Sequence, residues 1–463
     1  MSTRTANFED IYPLTPFQQG MLFHVLDTPD AGLYLDQQRY TLRGEIDIPT
    51  FRKALQAVMD RHQILRTAFV LSTPEGPLQV VYRKLTLPWA MHDWSDLPQA
   101  DAQERLNELL NADYDKGFDL QRAPLTRVTL VRTEPNLYEF IWSFHLLLMD
   151  GWSMQVILRE LLALYHGMMT EQLVTLPAPM PYREFVKWLK QQPEKDAEVY
   201  WQNALKGFTQ PTPLGFDRAP LTDVSDRPYF KETVVQLDEE SSSKVRTFAQ
   251  QHRLTLNTVI QGAWALLLSR RSGMDDVLFG SVVAGRSAVI PGIDSAVGVF
   301  VNAVPARIRL SQEAQVVPWL REVQKQQAEA RRFDFCSLVR VQGWSEVPRT
   351  QPLFQSVVIF QNFPVTASIP ESASVKVVGV SLVERSNLPL ALVVEPGTQF
   401  LFRAIYMGNR FDEATIDRIL ENVQRILVEL ANKAEAPLST VFSQVNTERQ
   451  LLIDSFNQSL ATL

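Results

Sequence analysis

The sequence predicts an α/β protein built from two related lobes, and three observations support this fold class. The 463 residues exceed the length at which a single hydrophobic core usually stops growing. In both halves, apolar residues at helical spacing alternate with short strand-like runs. A proline-rich segment at residues 176–181 interrupts both patterns and predicts the boundary between the lobes.

The N-terminal half opens with a clear helix signal. Thr15 can cap a helix, Pro16 suits its first position, and Gln18 completes a capping box. Periodicity and turn residues then predict a strand at 37–43, a helix from 49 to 59, a hairpin of 67–71 with 78–82, a helix at 102–110, strands at 126–131 and 138–146, and a helix at 152–165. The strand at 138–146 is nearly all apolar, which predicts a central position in its sheet.

The C-terminal half repeats this alternation without repeating the sequence. The pattern predicts helices at 182–190, 194–205, 239–252, 256–270, 316–332 and 412–431, with strands at 230–237, 276–283 and 304–310. Four further strands, at 357–360, 375–380, 390–394 and 401–406, are predicted to complete a sheet. We therefore expect an N-terminal lobe at 1–177, a C-terminal lobe at 178–447, and the start of a linker at 448–463.

Composition excludes several classes of function. The net charge is −7 and no Lys/Arg run of the kind that binds nucleic acid is present. The single cysteine, Cys336, excludes an internal disulfide, and a zinc site needs more ligands. The N-terminus lacks a signal-peptide core, and no apolar run is long enough to span a membrane. These features predict a soluble, cytoplasmic protein without metal.

The stretch from Ser143 to Ser153 carries the candidate chemistry. An apolar strand ends in His145 and then in Asp150 and Gly151, a pattern that places polar groups in a cleft. His145 is either a base or, as histidines in such positions more often are, a packed residue that orients its neighbours. Asp150 is predicted to be held by backbone donors or by an arginine, for which Arg286 is the candidate. Gly151 serves either close approach of a substrate or a tight turn.

Other chemistries find no support in the residues. No glycine-rich phosphate loop is present, so nucleotide chemistry is not expected. The remaining histidines lack metal-ligand spacing. Spacing alone leaves a Ser-His-Asp triad open, but no Gly-x-Ser-x-Gly elbow is present.

At this point the motifs resemble a known family, the condensation domains of nonribosomal peptide synthetases, over nearly the whole chain. The family signature His-His-x-x-x-Asp-Gly matches residues 145–151 except at its second His, where this chain has Leu146. The other matching motifs are Leu14-Thr15-Pro16-Phe17-Gln18-Gln19-Gly20-Met21, Arg61-His62-Gln63-Ile64-Leu65-Arg66-Thr67-Ala68-Phe69, Tyr182-Arg183-Glu184-Phe185, Gly298-Val299-Phe300-Val301-Asn302 with Arg307, Phe333-Asp334-Phe335, Arg385-Ser386-Asn387-Leu388-Pro389-Leu390, and Glu448-Arg449-Gln450-Leu451-Leu452.

The resemblance implies a chloramphenicol acetyltransferase-like fold, with the lobes arranged as a V around a tunnel. It further implies that an acceptor amine attacks a donor thioester, both substrates arriving on phosphopantetheine arms of upstream and downstream carrier proteins. No ATP, metal or bound cofactor enters this step. An adenylation domain is expected to follow residues 448–463. The Arg61-His62 form of the second motif resembles the subtype that joins an L-configured donor to an L-configured acceptor. The implied tunnel residues are Trp152, Ser153, Asn302, Ser386 and Asn387.

Leu146 sets this chain apart from the family pattern. The family's second His is credited with deprotonating or positioning the amine, and a leucine can neither accept nor donate a proton. Substitution explains the pattern more simply than an inserted residue that displaces His145, and it can be natural or engineered. We therefore expect a weakened catalyst on an intact architecture. The alternatives are a non-catalytic domain that docks a carrier protein or recruits a tailoring enzyme, and a free-standing acyltransferase that uses coenzyme A.

Overall fold

A computed structural model of the chain describes residues 7–27, 33–74, 76–216, 229–286, 290–362, 375–383 and 388–441. The chain divides into two compact units, and neither is one continuous segment. The first comprises Met1–Gln192, Ala284–Val301 and Phe363–Asn387; the second comprises Pro193–Val283, Asn302–Asn362 and Leu388–Leu463. The first unit thus runs past residue 177, and the continuous lobes at 1–177 and 178–447 stay a prediction. Residues 448–463 lie outside the described part of the chain.

The first unit contains most of the predicted N-terminal elements. Its strands and helices are β1 (Phe8–Pro13), α1 (Pro16–Asp27), β2 (Leu35–Arg43), α2 (Ile48–Arg61), β3 (Thr67–Val70), β4 (Leu78–Tyr82), β5 (Trp89–Asp93), α3 (Gln99–Lys116), β6 (Thr126–Glu134), β7 (Leu137–His145), α4 (Gly151–Met169), α5 (Tyr182–Lys190) and β12 (Lys376–Val383). The predicted hairpin is confirmed as the antiparallel pair β3 and β4, but β1 and β5 were not predicted. The predicted capping box also forms, because the Thr15 amide donates to Gln18 Oε1 and the Gln18 amide donates to Thr15 Oγ1.

A mainly antiparallel sheet organises this unit. Its five strands lie in the order β12-β2-β7-β6-β5, and β7 is central as predicted. Eight of its nine residues are buried, from Tyr138 to His145, since both faces of a central strand are covered. On one face, Phe140 packs edge-on against Phe51 of α2 at 5.6 Å between ring centroids, and Phe51 packs edge-on against Tyr165 of α4 at 5.4 Å. These contacts fix the two helices on the sheet.

A buried ion pair joins α2 to α4. Glu160 of α4 accepts from Arg61 Nε at 2.8 Å and contacts His62 Nε2 at 2.7 Å. Burial raises the pKa of Glu160, but the contacts with His62 and Arg61 outweigh it, so the net shift is downward. The Arg61-His62 pair of the second motif therefore holds the middle of α4, and the N-terminal end of this helix carries the candidate site.

One predicted strand lies in a different sheet from the one expected. The strand predicted at 375–380 was assigned to a sheet with the strands at 357–360, 390–394 and 401–406, and that assignment is wrong. It forms β12, which pairs antiparallel with β2 of the first unit, Val380 opposite Tyr40. Hydrophobic alternation identifies a strand but carries no information about its partner.

The second unit contains a mixed six-stranded sheet, in the order β10-β9-β11-β13-β14-β8. Its elements are α6 (Glu194–Leu205), β8 (Phe230–Gln236), α7 (Glu239–Gln251), α8 (Leu256–Ser272), β9 (Asp276–Val283), β10 (Asn302–Arg309), α9 (Val316–Ala330), α10 (Leu338–Trp344), β11 (Ser356–Phe360), β13 (Leu390–Glu395), β14 (Leu401–Met407) and α11 (Glu413–Asn432). Trp264 of α8 and Leu420 of α11 are buried in one core with Leu392 and Phe402 of the sheet. The α/β class with mixed sheets is therefore confirmed.

The described residues contain neither a membrane-spanning helix nor a group of metal ligands. No helix in the described ranges is long and apolar enough to cross a membrane. No group of three or more His, Cys, Asp or Glu side chains in the same ranges is placed to hold a metal ion.

Candidate functional site

The candidate site begins where the central strand β7 ends. The strand stops at His145, and Leu146 is the first residue of a turn that leads into α4 at Gly151. His145, residues 147–149 and Asp150 are all buried, whereas Leu146 is half-buried. Within this run, position 146 is therefore the one that a molecule from outside can reach.

His145 is held as a neutral imidazole. Its Nδ1 accepts a hydrogen bond from the Leu147 amide at 3.1 Å, so the ring proton lies on Nε2. Burial lowers the pKa of His145 to about 3, because a charged ring would lose its hydration. The ring thus has its one basic lone pair occupied across the physiological pH range. His145 therefore orients the turn through its ring.

Asp150 is the N-cap of α4 and is almost fully buried. Its Oδ1 accepts from the Ser153 amide at 2.8 Å, which is the expected capping bond. Its Oδ2 accepts from the amides of Phe300 at 3.0 Å and Val301 at 3.4 Å. One carboxylate therefore ties the start of α4 to the segment around Phe300, which is distant in sequence.

Arg286 and Asp150 are brought together, with Nη2 of the guanidinium 3.1 Å from Oδ1 of the carboxylate. Nη2 also donates to Ser153 Oγ at 2.9 Å, and Nη1 donates to the carbonyls of Ile293 at 2.6 Å and Ala296 at 2.9 Å. Both side chains of the ion pair are nearly solvent-free, at 3% and 1% exposed. Because both carboxylate oxygens and both Nη atoms are bonded within the fold, the arrangement is typical of a structural anchor.

The segment that Asp150 and Arg286 hold is packed closely from a second side. Tyr182 of α5 donates its hydroxyl to the carbonyl of Val299 at 2.6 Å. A Cβ on Gly298 would lie 2.2 Å from the Tyr182 ring, so only glycine fits there. Gly285 has a φ of +61°, and a Cβ on it would lie 1.8 Å from the carbonyl oxygen of Phe300. Two glycines therefore allow the backbone to approach its neighbours at this point.

The predicted tunnel residues lie in different surroundings. Trp152 is half-buried in the first turn of α4, and its indole N–H donates to the carbonyl of Asp294 at 3.0 Å. Ser153 is buried, and its hydroxyl lies within 2.8 Å of both Asp150 Oδ1 and the Gly298 carbonyl. Gly151 is the half-buried first residue of α4. Ser386 and Asn387 lie outside the described residues.

Asn302 lies in the second unit, at the start of β10. Its side-chain amide donates to the carbonyls of Asp334 and Cys336, each at 2.6 Å. The Asn302 side chain thus holds the segment that contains Cys336. Burial raises the pKa of that thiol to about 12, which keeps it protonated and unreactive.

Several contacts of the site could not be read from the sequence. The donors to Asp150 Oδ2 are backbone amides, which every residue except proline carries. The Tyr34 carbonyl, which accepts from the Leu146 amide at 2.7 Å, is likewise a backbone group that no residue type marks. In the sequence, Gly298 indicates that the backbone of this segment is closely approached, and its motif includes Phe300, whose amide donates to Asp150.

Comparison with known structures identifies the fold. The condensation domain from the Monacolin K polyketide synthase MokA superposes with a TM-score of 0.79 at 19% identity, covering 93% of this chain and 100% of that chain. The X-domain from teicoplanin biosynthesis gives a TM-score of 0.75 at 21% identity, covering 95% of this chain and 98% of that one. At these identities the likeness establishes the fold alone, and that fold is the condensation-domain fold.

Sequence comparison identifies the family. The model of the condensation domain matches residues 8–453. A linear gramicidin synthase protein of Brevibacillus parabrevis is 37% identical over 453 residues, covering 98% of this chain and 9% of the relative. Bacitracin synthase 3 of Bacillus licheniformis is 32% identical over 460 residues, covering 98% and 7% respectively. The chain belongs to the condensation-domain family of nonribosomal peptide synthetases, and it spans only a small part of the length of these relatives.

Proposed function

We propose that the chain forms an amide bond between two carrier-bound thioesters, and that Leu146 weakens this activity. The donor is an acyl or peptidyl thioester, and the acceptor is an aminoacyl thioester. Each is carried on the phosphopantetheine arm of a separate carrier protein. Membership of the condensation-domain family supports this class of reaction.

The reaction requires one proton to leave the acceptor amine. The amine nitrogen attacks the donor carbonyl, the C–N bond forms, and the C–S bond breaks as the sulfur leaves and takes up a proton. A positioned base contributes on the order of 10²–10⁴-fold to such a step. An α-amine has a pKa of roughly 8, so part of it is unprotonated at neutral pH without a base.

The observation that carries the proposed weakening is the pair of side chains at positions 145 and 146. Leu146 is the accessible side chain of the turn and has no proton acceptor. His145 is adjacent, but its Nδ1 is occupied by the Leu147 amide. What remains is the juxtaposition of two thioesters, which acts through effective molarity and needs no titrating group.

Asp150 and Arg286 are proposed as a positioning pair rather than as an acid and a base. Asp150 receives donors on both of its oxygens, so its lone pairs are committed to the fold. Gly151, Trp152 and Ser153 follow it in the first turn of α4 and are proposed to shape the substrate path. Asn302, Ser386 and Asn387 are proposed for the same path from their motifs.

A condensation assay tests the proposal. The chain is incubated with a loaded donor carrier and a loaded acceptor carrier, and the elongated acceptor is measured by intact-protein mass spectrometry. We expect slow product formation that requires both carriers. If the product forms no faster with the chain than in a mixture of the two loaded carriers alone, an enzymatic role is contradicted. Transfer from free acyl coenzyme A without a donor carrier supports the free-standing acyltransferase instead.

Leu146 also favours a second candidate function, a non-catalytic domain that docks a carrier protein or recruits a tailoring enzyme. Such a domain would bind a carrier protein with or without its pantetheine arm and would form no product. The condensation enzyme is expected to bind the loaded carrier more tightly than the carrier without pantetheine. Measuring both affinities by isothermal titration calorimetry separates the two candidates. An adenylation domain is a proposed partner in either case, on the strength of the motif at residues 448–452.

A further inference from the structure

The turn that carries position 146 is held by groups distant from it in sequence. The Leu146 amide donates to the Tyr34 carbonyl at 2.7 Å, and the Leu147 amide donates to His145 Nδ1 at 3.1 Å. The Leu148 amide donates to the His145 carbonyl at 2.9 Å. Since the two peptides flanking a Cα atom set the direction of its side chain, these bonds aim the side chain at position 146.

The carbonyl of Leu147 is held by Gln18, a residue from the first turn of α1. Gln18 Nε2 donates to this carbonyl at 2.7 Å, and Gln18 is fully buried. The same side chain closes the capping box of α1 through its Oε1, which accepts from the Thr15 amide at 2.9 Å. One amide therefore joins the start of α1 to the turn after β7.

Gln18 has no rotational freedom left. Its Nε2 donates to Gln79 Oε1 at 3.1 Å, and its Oε1 accepts from Gln79 Nε2 at 3.0 Å. Together with Leu147 and Thr15, this pairing uses both N–H groups and both lone pairs of the Gln18 amide. Flipping the amide would set its N–H groups against the Thr15 amide and its oxygen against the Leu147 carbonyl.

We propose that Gln18 is a positioning residue. It fixes the peptide between Leu147 and Leu148, and the amide of that peptide holds the His145 carbonyl, which belongs to the peptide before position 146; Gln18 thereby sets the direction of the side chain at position 146. The inference rests on the proposed function, because it takes position 146 as the one that faces the reacting amine. A capping box alone does not account for Gln18: a glutamate also completes a capping box, but an ionised glutamate has no N–H for the Leu147 carbonyl. Helix capping therefore does not explain the hydrogen bond from Gln18 Nε2 to the Leu147 carbonyl.

The test uses two isosteric changes in a Leu146→His background, which supplies a base to be positioned. Gln18→Met removes the donor to Leu147, whereas Gln79→Met removes the reciprocal amide pair from the same buried site and leaves Leu147 untouched. We expect Gln18→Met to lower kcat by about 10²-fold, the loss typical of a misplacement of about 1 Å, with the KM for both carriers unchanged. Gln79→Met is expected to keep most of kcat.

A spectroscopic readout makes the result independent of turnover. With histidine labelled in its ring carbons, the imidazole introduced at position 146 is followed by NMR over a pH titration. We expect its chemical shifts and its pKa to change on Gln18→Met and to stay the same on Gln79→Met. If Gln18→Met does not fold, Gln18→Glu is used instead, at a pH above the pKa of the introduced carboxyl group. The ionised carboxylate still accepts from the Thr15 amide but has no hydrogen to donate to Leu147.

The outcomes separate the two proposals. Equal changes in the Gln18 and Gln79 variants, or no change in either, overturn the role of Gln18. If Leu146→His itself brings no gain in turnover, the proposed function fails, yet the NMR titration still decides whether Gln18 positions the side chain.

Discussion

Replacing Leu146 with histidine puts a proton acceptor at the accessible position of the turn. The backbone of the turn is held through the Tyr34 carbonyl and the His145 ring, and neither bond involves the side chain at position 146. The change is therefore expected to alter the free energy of unfolding by about 1 kcal/mol or less. Because position 146 is half-buried, unlike His145, an imidazole there keeps part of its hydration, and we expect its pKa to lie at or below the ordinary value of about 6.5.

The expected gain in rate follows from the role of a base. A general base contributes about 10²–10⁴-fold, which corresponds to roughly 2.7–5.4 kcal/mol of transition-state stabilisation at about 1.36 kcal/mol per decade. The rate for the unchanged chain is expected to rise with pH until the amine is free, at roughly pH 8. The Leu146→His variant is expected to lose rate more steeply below about pH 6.5, because the imidazole must also be unprotonated.

Single-turnover kinetics with both carriers preloaded measure this gain. Leu146→Gln is the matched control, since it is polar and similar in size but is not a base. A rate for Leu146→His that equals the rate of the unchanged chain refutes the reasoning, and so does an equal gain for Leu146→Gln.

Three further changes test the surroundings of the site. Burial holds the pKa of His145 at about 3, below its unfolded value of about 6.5, so the unfolded state gains a proton first as the pH falls. Between these two pKa values, the free energy of unfolding is expected to drop by up to about 1.4 kcal/mol per pH unit. His145→Gln should make urea unfolding less dependent on pH over the same range. Asp150→Asn leaves the Arg286 charge buried and unpaired, which is expected to cost about 3–5 kcal/mol in urea unfolding, and Arg286→Met in the same chain should recover part of that loss. Asn302→Ala frees two carbonyls, with an expected cost of about 1–3 kcal/mol each, and should speed the labelling of Cys336 by a thiol reagent; unchanged labelling contradicts a role of Asn302 in holding that segment.

Local structure was largely predictable because it depends on neighbours in sequence. The capping box of Thr15 and Gln18 and the central position of β7 follow from residue types within a few positions. β5 was missed because Trp89–Asp93 is short, and its polar and apolar residues do not alternate clearly. β1 was missed because Phe8–Pro13 mixes acidic residues with a proline, both of which are depleted in strands.

The long-range partners of the site were less predictable, for a different physical reason. Arg286 was a reasonable candidate for Asp150 because opposite charges at strand ends attract. The amides of Phe300 and Val301 contact the same carboxylate, but a backbone donor has no residue type that marks it. The contact of Gln18 was unpredictable for a related reason, because its side chain donates to the Leu147 carbonyl, and a backbone acceptor has no residue type that marks it either.

The pairing of β12 with β2 has a consequence for how the chain is made. Residues 35–43 are synthesised early, but the strand that covers their outer edge lies at Lys376–Val383. A nascent chain that ends before residue 376 therefore exposes the edge of β2 as a row of unpaired backbone groups, open to pairing with another chain. The first unit is encoded mostly in the first half of the sequence, yet its sheet is completed only after most of the second unit has been synthesised.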